Sequence, residues 1–66
     1  MDAPSADLRS LLDRLKEAQH TLIDAAARQP GLPSTAIVRR IADLESAIAA
    51  VLALIEERQG RPSSDM

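Results

Sequence analysis

The chain is short, rich in helix-forming residues and nearly neutral. It has 66 residues and a net charge of -2, and 45% of its residues are hydrophobic, with no cysteine and no aromatic residue. The length allows one domain. The absence of cysteine excludes disulfides and thiolate zinc sites, and the absence of Phe, Tyr and Trp excludes stacking of these side chains on nucleic-acid bases. Because Ala, Leu and Ile supply most of the apolar residues, we expect an all-α domain.

No segment has the pattern of a targeting or membrane signal. The first five residues are acidic and are interrupted by Pro4, unlike a secretory signal. The longest apolar run, residues 47–55, is much shorter than the ~20 residues that cross a bilayer. We therefore expect a cytoplasmic protein with no membrane partner.

A first helix is predicted over about residues 6–28, after a disordered tail at residues 1–5. Ser5 is the expected N-cap, and Asp7 suits the positive end of the helix dipole. Pro30 stops the helix, because the residue before a proline avoids helical geometry. The apolar residues recur every three or four positions, which is the period of a helix: Leu8, Leu11, Leu12, Leu15, Ala18, Leu22, Ala25 and Ala26.

A loop at residues 29–33 separates this helix from a second one, predicted over about residues 34–58. Gly31 lies between two prolines and can adopt the positive φ that a chain reversal needs. Ser34 or Thr35 is the expected cap, and Gly60 supplies a stop before a disordered tail at residues 60–66. The apolar stripe of the second helix comprises Ile37, Ile41, Leu44, Ile48, Val51 and Ile55.

The two stripes match when the chain folds back at the loop, which predicts an antiparallel helical hairpin. The predicted apolar pairs are Leu8 with Ile55, Leu11 with Leu52, Leu12 with Val51, Leu15 with Ile48, Leu22 with Ile41, and Ala26 with Ile37. Gln19, opposite Leu44, is the one polar residue on the stripe. Two interpretations stay open for it: a buried polar group that sets register or oligomeric state, or a side chain at the stripe edge that reaches water.

A single seam between two helices is a small core for a chain without disulfides. One histidine, with no ligand spacing around it, predicts no metal and no cofactor. Self-association is the remaining way to bury more apolar surface, so we expect a homodimeric four-helix bundle with coiled-coil-like packing. Apolar residues beyond the narrow stripe indicate the contact between copies: Ile23, Val38, Val51, Leu52, Leu54 and Ile55.

Catalysis and nucleic-acid binding have little support in the sequence. His20 falls opposite the apolar stripe, where an exposed surface histidine is the simplest interpretation, and no catalytic set surrounds it. We expect no enzymatic activity. Arg28, Arg39 and Arg40 collect at the loop end and form a possible basic patch, but three arginines are a small electrostatic footprint.

Two families resemble the chain. The length and the hairpin plan resemble the plasmid copy-number regulator Rop, a homodimeric four-helix bundle that binds paired RNA loops. Its RNA-binding helix carries aromatic residues, whereas helix 1 here has none and its charges cancel. The stretch at residues 44–49, Leu-Glu-Ser-Ala-Ile-Ala, is similar to a helix of the small type III secretion co-chaperones that help hold the needle subunit. That resemblance implies a larger helical-repeat chaperone as partner.

These observations favour a non-enzymatic protein-protein interaction module that binds a second copy of itself. A co-chaperone or adaptor hairpin, which presents the same apolar surface to a larger helical protein, is the first alternative. A small nucleic-acid-binding regulator that uses Arg28, Arg39 and Arg40 is the second.

Overall fold

The computed structural model of the protein describes residues 3–60 and is a hairpin of two long helices. Helix α1 spans Ser5–Ala27 and helix α2 spans Thr35–Arg58, and across the described residues no strand is present. Of the predicted tails at residues 1–5 and 60–66, residues 1–2 and 61–66 lie outside the described residues, and Ser5 belongs to α1.

Helix α1 begins one residue earlier than the sequence indicated, and the prediction that Ser5 caps it is wrong. Pro4 occupies the N-cap position with φ -64° and ψ 156°, and no side chain caps the first turn. The carbonyl of Pro4 accepts from the backbone N–H groups of Asp7 and Leu8 at 3.0 and 3.1 Å. Proline fixes the φ that this position needs, so Ser5 becomes the first helical residue.

The connector reverses the chain with one residue of positive φ. Arg28 caps α1, and its N–H bonds to the carbonyls of Asp24 and Ala25, both at 3.3 Å. Gly31 follows with φ 80°, a conformation that costs little only for glycine. Of the two possible caps for α2, Ser34 is the one used, because its hydroxyl accepts from the N–H of Ile37 at 3.2 Å.

The core lies toward the open end of the hairpin, away from the loop. Its four buried residues are Leu8, Leu12, Ile48 and Ile55, with exposed fractions of 7%, 7%, 6% and 4%. Leu15, Val51 and Leu54 are half-buried and pack against them. In the loop half the stripe residues are only half-buried: Leu22, Ala26, Ile37, Ile41 and Leu44.

The open end is closed by a contact outside the apolar core. The guanidinium Nη1 of Arg58, at the end of α2, donates to the carbonyl oxygen of Ala3 at 2.8 Å. Because Ala3 precedes α1, this bond places the start of one helix beside the end of the other, as an antiparallel hairpin requires.

Candidate functional site

Gln19 crosses the seam between the helices and marks one face of the hairpin. Its Nε2 donates to Oε1 of Glu45 at 2.9 Å and to the carbonyl oxygen of Ile41 at 3.4 Å. The side chain is half-buried, so Gln19 lies at the edge of the stripe and pairs across it. We call the surface on this side of the seam the bridge face.

Helix periodicity places the exposed apolar side chains of the helices on the bridge face. Ile23 follows Gln19 by four residues, and Val38 and Leu52 lie seven residues before and after Glu45. Residues four or seven apart share one side of a helix. The exposed fractions are 42% for Ile23, 50% for Val38 and 39% for Leu52. The bridge face therefore carries three of the predicted interface residues, all accessible.

The opposite side of the seam is a shallow groove. Ala18, Thr21 and Leu22 of α1 line it together with Arg40 and Leu44 of α2, around a volume of about 310 Å³. Leu11 lies seven residues before Ala18 and Leu54 fourteen after Arg40, so both belong to this side, the groove face. Both are half-buried, and Leu54 packs against the core.

The two faces correct several sequence-based assignments. Ile55, predicted at the contact between copies, is 4% exposed and belongs to the core within one hairpin. Leu54 and Val51 are half-buried against that core rather than free. The predicted pair of Leu11 with Leu52 is wrong, because the seam separates Leu11 on the groove face from Leu52 on the bridge face. Matching positions in an antiparallel hairpin predicts how far along the hairpin a residue lies but not on which side of the seam.

Two of the three residues of the predicted basic patch line one depression. Arg39 and Arg40 line an open depression on α2 together with Ala36, Asp43 and Leu44. Arg28 is the capping residue of α1, on the other helix. The carboxylate of Asp43 within the depression offsets part of the positive charge.

Other candidate chemistry is sparse in the part of the chain that the structure describes. His20 is exposed on α1. Within residues 3–60, no group of three or more histidine or acidic side chains is arranged to hold a metal ion. Neither described helix has the length and apolar character needed to cross a bilayer.

The Gln19–Glu45 pair is the feature that sequence reasoning missed. The sequence identified Gln19 as polar on the stripe but not its partner, because Glu45 lies outside the apolar pattern of α2. The sequence does contain a signal for this pair. Gln19 is polar and lies on the stripe of α1, and Glu45 adjoins Leu44, the stripe residue that faces Gln19.

No protein-family model, curated protein or solved structure matches the chain. The geometry of the hairpin and its two faces is therefore the basis for an interpretation of function.

Proposed function

We propose that the protein is a non-enzymatic interaction module, a helical hairpin whose principal partner is a second copy of itself. The observation that carries this proposal is the small core: four residues in the described chain are buried, and none of them is below 2% exposure. Short chains without disulfides or metals commonly obtain the missing apolar burial by oligomerisation.

The apolar surface left outside the core supports the same interpretation. Ile23, Val38 and Leu52 expose between 39% and 50% of their area on one face of the hairpin. Scattered exposed apolar side chains are ordinary, but several on one face, beside a thin core, are typical of a surface that binds another protein. Leu32, in the loop, is 96% exposed.

Covering the bridge face would complete the loop half of the hairpin as well. There the stripe residues Ile37 and Ile41 are half-buried within one chain. A second hairpin packed over the seam would remove more of their surface from water and form a four-helix bundle. Burial of apolar area contributes roughly 25 cal/mol per Å², so each additional half-buried side chain adds to the stability of the assembly.

Sedimentation equilibrium and thermal unfolding at several concentrations test the proposal. We expect a dimer at micromolar concentration and a melting temperature that rises by several degrees over about a hundredfold range of concentration, because association stabilises the folded state by mass action. A compact monomer whose melting temperature does not depend on concentration would contradict it. A monomer that is largely unfolded by itself would instead favour the adaptor hairpin, with a different protein covering the apolar face.

A further inference from the structure

The bridge face separates its charges by helix. On α1, Lys16 precedes Gln19 by three residues and Arg9 precedes Lys16 by seven. On α2, Glu45 marks the face and Glu56 follows it by eleven residues, which is about three helical turns. All four side chains are exposed. The edge of α1 on this face therefore carries Arg9 and Lys16, with the exposed Asp13 further round the helix between them, and the edge of α2 is acidic.

Apolar residues alternate with these charges at matching heights. The bonds Gln19–Glu45 and Arg58–Ala3 show which parts of the antiparallel helices lie at the same height. By that alignment, Leu52 forms the apolar surface near the open end, level with Leu12, which is a core residue. Ile23 lies level with Val38 near the loop.

The charged residues follow the same alignment. Arg9 lies level with Glu56, and Lys16 lies within one helical turn of the height of Glu45. From the open end to the loop, the face thus presents a charged band, an apolar band, a second charged band and a second apolar band.

From this pattern, and resting on the proposed self-association, we propose that two copies dock bridge face to bridge face with both loops at the same end. A two-fold axis parallel to the helices places α1 of one copy on α2 of the other and keeps every residue at its own height. Lys16 of each copy then lies beside the second copy's Glu45, and Ile23 beside the second copy's Val38. Such a contact is isologous, so each complementary pair occurs twice.

The other two-fold arrangement matches the charges poorly. With the loops at opposite ends, α1 lies on α1 and α2 lies on α2, so basic edge faces basic edge and acidic edge faces acidic edge. Glu45, near the middle of α2, would then lie close to Glu45 of the second copy. Opposed like charges disfavour an arrangement, and complementary charges select the alternative.

The groove face is less suited to a second copy. Its large apolar side chains, Leu11, Leu22, Leu44 and Leu54, are already half-buried within the hairpin. The exposed large apolar residues of the two helices, Ile23, Val38 and Leu52, lie on the bridge face. Docking there removes more apolar area from water for each residue covered.

A pair of matched charge reversals tests the face. Lys16 and Arg14 are both exposed on α1, but Arg14 lies four residues before Ala18, on the groove side. By sedimentation equilibrium, we expect Lys16→Glu to weaken the dimer about tenfold and Arg14→Glu about twofold or less. Adding Glu45→Lys to Lys16→Glu should return the dissociation constant to within about threefold of the parent, because opposite charges again meet and the amide oxygen of Gln19 can accept from the introduced ammonium in place of the lost bond. Equal effects of the two single reversals, or no recovery in the double variant, would overturn the choice of face.

A distance measurement tests the orientation of the loops. The chain has no cysteine, and Leu32 is 96% exposed in the loop, so Leu32→Cys offers one site for a spin label. Loops at the same end predict a separation below about 25 Å, since neighbouring helices pack about 8–10 Å apart. Loops at opposite ends predict a much longer distance, because the hairpin is 47 Å long.

The outcomes separate this inference from the proposed function. A dimer with a long label-to-label distance overturns the same-end arrangement and leaves self-association intact. A protein that stays monomeric at every concentration overturns both. A dimer with a short distance, a specific effect of Lys16→Glu and recovery in the double variant supports both.

Discussion

Nε2 of Gln19 and Oε1 of Glu45 lie 2.9 Å apart and join the two helices near the middle of the hairpin. The same Nε2 lies 3.4 Å from the carbonyl oxygen of Ile41, one turn earlier on α2. A single polar side chain thus contacts two successive turns of the facing helix. Gln19 lies between the buried core near the open end and the loop half, where the stripe residues are only half-buried. Its hydrogen bonds join the helices at the point where the buried core ends.

Replacing Gln19 by Leu should stabilise the hairpin but remove the hydrogen bonds that align its two helices. The stripe position is half-buried, so an apolar side chain gains burial while two partly solvated hydrogen bonds, to Glu45 and to the carbonyl of Ile41, are lost. We expect the free energy of unfolding to rise by about 1 kcal/mol, measured by urea denaturation at one fixed concentration. Gln29→Leu, at an exposed connector position, is the control and should change stability by less than about 0.5 kcal/mol. A loss of stability in Gln19→Leu would show that the hydrogen bonds outweigh the burial.

The two serines at the helix starts should respond differently to the same substitution. The Ser34 hydroxyl accepts from the N–H of Ile37, so Ser34→Ala should cost about 1 kcal/mol. Ser5 is the first helical residue of α1 and caps nothing, so Ser5→Ala should be neutral or slightly stabilising. Thermal unfolding followed by circular dichroism measures both. Equal losses in the two variants would contradict the capping roles described here.

Two isoleucines distinguish the hairpin core from the bridge face. Ile48 is 6% exposed, and Ile48→Ala should lower the free energy of unfolding by ~2–5 kcal/mol through lost burial and a cavity. Ile23 is 42% exposed within one chain, so Ile23→Ala should act mainly by weakening association. The measurement is chemical denaturation at low and high protein concentration. A loss in Ile23→Ala that is as large as that in Ile48→Ala at low concentration would place Ile23 in the core.

Aspartate substitutions at Leu52 and Leu54 compare the bridge face with the groove face. Leu54 is half-buried against the core, so Leu54→Asp should destabilise the hairpin at every concentration, because a carboxylate is costly where it displaces apolar packing and loses part of its hydration. Leu52 is 39% exposed on the bridge face, so Leu52→Asp should remove the dependence of the melting temperature on concentration. Sedimentation and far-ultraviolet circular dichroism of the two variants decide the matter. A Leu52→Asp variant that retains the mass of the parent dimer would exclude the bridge face as the contact.

The sequence alone determined the elements of the hairpin, because they follow from local rules. Spacings of three and four identified both helices, and the proline-flanked Gly31 identified the reversal between them. Ser34 was recognisable as a cap from its place before the second apolar stripe. Ser5 was misassigned because Pro4 satisfies the same geometric requirement one position earlier, and residue preferences alone do not rank the two.

Only the tertiary structure decided which side of the seam each residue occupies. Leu11 and Leu52 have matching heights, yet they lie on opposite faces, and of the two positions that the sequence allowed for Ile55, the core and the contact between copies, the structure selects the core. The pairing of Gln19 with Glu45 likewise depends on how the helices are rotated about their axes. Helical periodicity determines which residues share a side of one helix. The rotation of one helix against another is determined by how the two stripes pack together. The apolar pattern of one helix does not contain that information.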